Sequence, residues 1–200
     1  MNETLLNQIP GVANPTYEDM NIVAESQRLW LQLAFWMRAY FRSALEKSAD
    51  LPVVTAQLFT LPQKFHDIFR TYFSEEIASQ IYGIVYELIN TNYQLVNAYL
   101  NNDAAAVDAA TRRWYTEAAQ GADYLAGINK FWDSNTISDL LFKYGNLKIQ
   151  EIVAYYNKDY EDEIKIYNAL KNKANKAAQT CNYMARGIIA RNAALRPRER

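Results

Sequence analysis

The chain has one cysteine, Cys181, and one histidine, His66, and these two counts remove most metal chemistry. A lone cysteine excludes an intrachain disulfide and any thiolate cluster within a single chain. A lone histidine excludes both the paired Glu-x-x-His segments of a di-iron bundle and a three-histidine site. Neither a glycine-rich phosphate loop nor a nucleophile elbow is present. The sequence therefore implies no cofactor, no metal ligand set and no catalytic residue of a familiar kind.

Charge and hydropathy are equally restrained. A formal net charge of -1 gives no general attraction to nucleic acid. The basic residues Lys165, Lys171, Lys173, Lys176, Arg186 and Arg191 are dispersed and offset by upstream acids, which suits a solvated face. Charged side chains interrupt each apolar stretch before it reaches the roughly 18 residues of a membrane span. Met1 to Met20 carries Glu3 and no continuous apolar run, unlike a secretory signal. A cytoplasmic protein with no membrane or nucleic-acid partner is the expectation.

With 6 glycines and 5 prolines in 200 residues, punctuation is sparse, and long helices are favoured over a turn-rich sheet fold. The expectation is a single all-α domain over 1–200, an antiparallel bundle of about six helices, four of them long. Residues 1–20, with Pro10, Gly11 and Pro15, read as a loose arm. A first helix is expected from about Ile22 to Lys47, ending near Asp50-Leu51-Pro52 because the residue before proline leaves the helical region. Shorter helices interrupted at Leu61-Pro62 follow. Ser74 caps a helix running to about Asn101, and Asn102-Asp103 turns into another that ends near Asn129. The end Arg196 to Arg200 reads as a frayed tail.

What the chain has is internal repetition. Asn90, Gln94, Ala98, Tyr99, Asn101 and Asp103 recur with identical spacing as Asn146, Gln150, Ala154, Tyr155, Asn157 and Asp159. Ser74 and Ile77 echo Ser134 and Ile137. Ala118-Ala119-Gln120 with Asp123-Tyr124 echoes Ala177-Ala178-Gln179 with Asn182-Tyr183. The echoes are displaced by slightly different amounts, so small insertions separate two helical hairpins, 74–129 and 134–190, expected to superpose by a pseudo-two-fold relation. Leu33, Met37 and Tyr40 share the spacing of Leu88, Asn92, Leu95 and of Tyr144, Lys148, Glu151, a geometric hint of a third copy.

Helical periodicity assigns the faces. Asn90, Gln94, Asn97 and Asn101 lie opposite Ile77, Ile81, Ile84, Leu88 and Leu95. In the last helix, Ile166, Leu170, Ala174, Ala177, Cys181, Ala185 and Ile188 form the stripe of a bundle helix, with Cys181 as a packing residue. His66 reads as a packed or surface residue. Trp30, Phe35, Trp36, Tyr40 and Phe41 suit a core and a subunit interface, and the 15 tyrosines suit semi-buried contacts, so self-association is expected. Arg38 and Arg42 flank these aromatics and are able to bind an anion.

Tyr144, Lys148 and Glu151 are the polar anomaly. They share the arc of Leu140, Leu141, Leu147 and Ile152, while the opposite arc is already polar. A shielded lysine and carboxylate must pair or shift their pKa values. Such a group either lines a pocket for a small polar ligand, with Asn92 at the matching repeat position as its cross-helix partner, or fixes helix register as an i, i+3 pair. The leading functional reading is a non-enzymatic small-ligand or protein-binding module. Its competitor is an enzyme in which Lys148 holds an anionic substrate group and Glu151 is the general base.

Through Leu29-Trp30, Phe35-Trp36-Met37-Arg38, Arg113-Trp114-Tyr115 and Asn157-Lys158-Asp159-Tyr160, residues 28–189 resemble small uncharacterised bacterial all-helical proteins. Some relatives carry an acetylglutamate-kinase label. This sequence does not support it, having neither a phosphate loop nor alternating strands and helices. The resemblance implies histidines where this chain has Leu33, Leu88 and Tyr144, a set similar to the metal site of DNA-damage-inducible helical bundles, and Asn where it has Glu117. The chain departs at all of these positions, so the resemblance implies descent from a metal-binding bundle without its ligands.

Overall fold

A computed structural model describes residues 15–171 and 179–195 of the chain. Among them are eight helices and no strand: α1 (Tyr17–Leu45), α2 (Leu51–Leu58), α3 (Leu61–Tyr72), α4 (Glu75–Leu100), α5 (Ala104–Ile128), α6 (Ser134–Tyr156), α7 (Tyr160–Lys171) and α8 (Thr180–Leu195). None of these is long and apolar enough to cross a membrane. Most of the 1–20 arm, the Arg196–Arg200 tail and the stripe positions Ala174 and Ala177 lie outside the described residues.

α1 begins earlier than the sequence suggests. Thr16 accepts a hydrogen bond from the Asp19 amide at 3.2 Å, and Asp19 accepts one from the Thr16 amide at 2.8 Å. This reciprocal cap opens the helix immediately after Pro15, a position that arm-like composition obscured. At its other end, α1 stops at Leu45, two residues short of Lys47. Pro52 and Pro62 sit in the first turns of α2 and α3, where a missing amide hydrogen is harmless. Ser74 caps α4 as its sequence implies, with its hydroxyl accepting from the Ile77 amide. The cap of α6 is Asp133 rather than Ser134, because the Asp133 carboxylate takes the Thr136 amide at 2.8 Å.

Three turns share one form. After α1, α4 and α6, the residues Lys47, Asn102 and Lys158 adopt left-handed backbone with φ of 54, 52 and 64°. The following amides of Ser48, Asp103 and Asp159 then reach back to the carbonyls of Ser43, Ala98 and Ala154 at 2.9, 3.0 and 2.8 Å. That bond satisfies carbonyls a helix end leaves open. Asp103 and Asp159 go on to cap the next helix, accepting from Ala106 and Asp162 amides at 3.0 Å each. Asn101 and Asn157 therefore occupy the same place at the ends of their helices.

α5 folds back against α4 and also meets α6; α7 lies against α6, and α8 returns to α1. α1 is central, packing on α2, α3, α4, α6 and α8. Its Met37, Tyr40 and Phe41 join Leu58, Leu61, Ile89, Ala118 and Ile152 in a fully shielded core. Each of the larger aliphatic side chains and Phe41 contributes roughly 1.5–3 kcal/mol on burial. Phe35, by contrast, is half exposed on the outer side of α1.

Candidate functional site

The polar cluster forms where α1, α6 and α7 converge. Lys148 and Glu151 stand one turn apart on α6, and neither side chain has any exposed surface. Lys148 Nζ donates to Glu151 Oε2 at 2.6 Å and to the Ala34 carbonyl of α1 at 3.1 Å. The Phe41 and Tyr167 rings lie 5.9 and 6.0 Å from Nζ. The lysine is thus committed to two protein acceptors between aromatic walls. Burial pushes its pKa down, opposed by the adjacent carboxylate, and burial pushes that of Glu151 up, opposed by the lysine.

Two further charges complete the cluster. Arg38 of α1 forks onto Glu163 of α7, with its Nη2 2.9 Å from Oε2, and stands 3.5 Å from Glu151 Oε1 through its Nε. Arg42 Nη1 lies 3.8 Å from Glu163 Oε2. The two guanidinium groups stack 4.5 Å over Tyr167 and 4.7 Å over Tyr155. The bond to Glu163 raises the Arg38 pKa further. Glu151 Oε1 has no hydrogen-bond partner among the described residues.

Tyr144, the third member of the predicted set, sits deeper along α6. Its hydroxyl points at the Met37 sulfur, 3.9 Å away, and its ring packs edge-on against Trp30 and stacked against Trp114, with centroids 5.3 and 6.5 Å apart. Burial drives its phenol well above the usual tyrosine range. Asn92 is buried on α4, with its Oδ1 lacking a hydrogen-bond partner among the described residues. Its neighbour Thr91 instead donates to Glu117 at 2.7 Å, a carboxylate also paired with Arg113.

An apolar cavity of about 60 Å³ lies beside this cluster, between α1, α3, α4, α5, α6 and α8. Leu29, Trp30, Leu33, Phe65, Leu88 and Ile188 are among the side chains around it, and Ser26 contributes the only hydroxyl among the described lining residues. Leu33 and Leu88, two of the positions singled out by the family resemblance, line this cavity. Tyr144, Lys148, Glu151 and Asn92 do not. Trp30 separates the two regions, with one side on the cavity and its ring against Tyr144.

The remaining candidate residues are apart from both. His66 bridges α3 to the start of α4, with Nδ1 3.1 Å from Asp67 and Nε2 3.0 Å from Glu75. Cys181 is buried in α8, and burial pushes its thiol up to about 11, away from reactivity. Among the described residues no three His, Cys, Asp or Glu side chains converge as a ligand set. Comparison of the chain with protein-family models, with curated proteins and with solved structures found no match.

Proposed function

We propose that this chain is a non-enzymatic binding module for a small apolar ligand, received in the cavity between α1, α3, α4 and α8. The observation that supports it is a lining of hydrocarbon and aromatic groups around space that close packing elsewhere in the bundle leaves unfilled. Apolar walls offer water no hydrogen bonds, so an apolar guest restores contacts that water makes poorly. Among the described residues no lining side chain is an acid, a base or an activated nucleophile. That composition supports binding over catalysis, and the commitment of Lys148 to Glu151 and Ala34 weighs against a lysine-based enzyme.

The dimensions narrow the ligand. A volume of about 60 Å³ is well below the roughly 150 Å³ that accepts benzene, so a slim alkyl end fits better than a ring. Ser26, Trp30, Ile68 and Ile84 are the half-buried members of the wall, and such a chain enters beside them.

Thermal unfolding with and without 1-hexanol tests this reading. The expected outcome is a saturable rise in melting temperature for the wild-type chain, as a ligand selective for the folded state requires. The rise disappears in Leu88→Phe, whose larger side chain fills the cavity. Equal destabilisation of both chains by the alcohol would refute the assignment.

A further inference from the structure

Glu163 is fully buried, the one carboxylate among the described side chains of α7 that is. Two arginines converge on it, one with a fork, and two tyrosine rings back their guanidinium planes. Paired N–H donors and a flat cation match a carboxylate in both shape and charge. Among these ion pairs the cations Lys148, Arg38 and Arg42 meet two carboxylates, Glu151 and Glu163, so withdrawal of Glu163 leaves its two arginines with Glu151 alone among their ion-pair partners.

The helix that delivers Glu163 is short, and most of its described side chains face solvent. Of its described side chains only Glu163 and Leu170 are buried, Ile166, Tyr167 and Ala169 are partly so, and Tyr160 and Ile164 are half exposed. α7 lies against α6 and reaches α1 chiefly through side chains. Its first turn is fixed by the left-handed Lys158 and the Asp159 cap, a pivot at one end. A buried ion pair returns little net stability, because both ions regain water on separation. Arg38 would keep its orientation without Glu163, since its Nε is already ion-paired at 3.5 Å to Glu151 Oε1, which has no hydrogen-bond partner among the described residues.

We infer that Arg38 and Arg42 form a binding site for a small carboxylate ligand, and that α7 is a self-docked lid whose Glu163 fills the site until such a ligand displaces it. This site is separate from the apolar cavity and stands or falls without it. The carboxylate takes the forked position on Arg38, Glu163 moves into water, and α7 swings about the Lys158 turn.

Hydrogen exchange of the full wild-type chain decides the matter, with sodium acetate compared against sodium chloride at equal ionic strength. Acetate is expected to speed exchange of the 160–171 amides severalfold and saturably, leaving α4 and α5 unchanged. In Glu163→Ala, where the competitor is gone, acetate is expected to raise the melting temperature at lower concentration than it opens the wild-type lid. If acetate and chloride act alike on wild-type α7, Glu163 is a structural ion-pair partner only and the inference fails, whether or not the variant folds. Stabilisation of Glu163→Ala by acetate without any wild-type opening likewise overturns the lid.

Discussion

Trp114 lays its indole nitrogen directly over the backbone of Gly145, so close that a Cβ at Gly145 would fall 1.8 Å from Nε1. The absent side chain is what lets α5 press this ring onto α6, where it stacks on Tyr144. Gly187 receives Trp132 in the same manner, and there the indole also donates to the Met184 carbonyl at 3.1 Å.

Gly145→Ala is therefore expected to destabilise the fold despite the better helix propensity of alanine. Overpacking of a core costs typically 1–3 kcal/mol, against about 1 kcal/mol gained from propensity. A net loss should appear in urea unfolding, whereas Gly83→Ala, which meets nothing within 4 Å, should stabilise. Equal effects at the two glycines would remove the packing argument.

Glu151→Ala should lower stability by on the order of 3 kcal/mol, because it strands Lys148 without its counter-ion. The double variant Lys148→Met, Glu151→Leu should recover most of that loss, since an apolar pair needs no desolvation compensation. Chemical denaturation of the three chains measures both. A loss below about 1 kcal/mol for Glu151→Ala would be the behaviour of a solvent-screened pair.

The left-handed residues offer a graded test. Lys158→Gly should stabilise the chain by about 0.5–1 kcal/mol, as glycine carries no Cβ penalty at positive φ. Asn102→Gly should gain less, because asparagine already tolerates that conformation. Melting temperatures that rank the two in the opposite order would contradict the turn geometry.

His66 should supply a pH dependence of its own. Hydrogen bonds to Asp67 and then Glu75 raise its pKa from the ordinary 6.5. The folded state thus holds the proton more tightly than the unfolded chain, and the contribution is complete below about pH 6.5 and fades as pH rises through the raised value. Melting temperatures of the wild type and His66→Gln should converge between neutral and alkaline pH. Parallel curves across that range would show that the two carboxylates do not hold the imidazolium.

Much of the fold was legible because it is encoded locally. The Ser74 and Asp103 caps, the Asn157 turn and the apolar face of α4 each depend on residues within one or two helical turns. The Thr16–Asp19 cap was equally local, but nearby prolines and glycine masked it. Lys148 and Glu151 were legible as inward-facing from periodicity alone. Their neighbours were not, since Arg38 and Glu163 are 125 residues apart in sequence and nothing near either one announces the other. The cavity was illegible for a similar reason. Its walls come from six helices, and empty space is a property of how they meet rather than of any one of them.

The return of α8 to α1 has a kinetic consequence. The α4–α5 and α6–α7 pairs join through turns a few residues long and can close early, whereas Gln27 meets Asn182 at 2.9 Å across 155 residues of chain. Local contacts form fast, and the long closure gains nothing until the elements between are in place. Docking of α8 is thus the step on which closure of this bundle waits, and a chain still growing from its N-terminus holds the α1 face bare until α8 has been made.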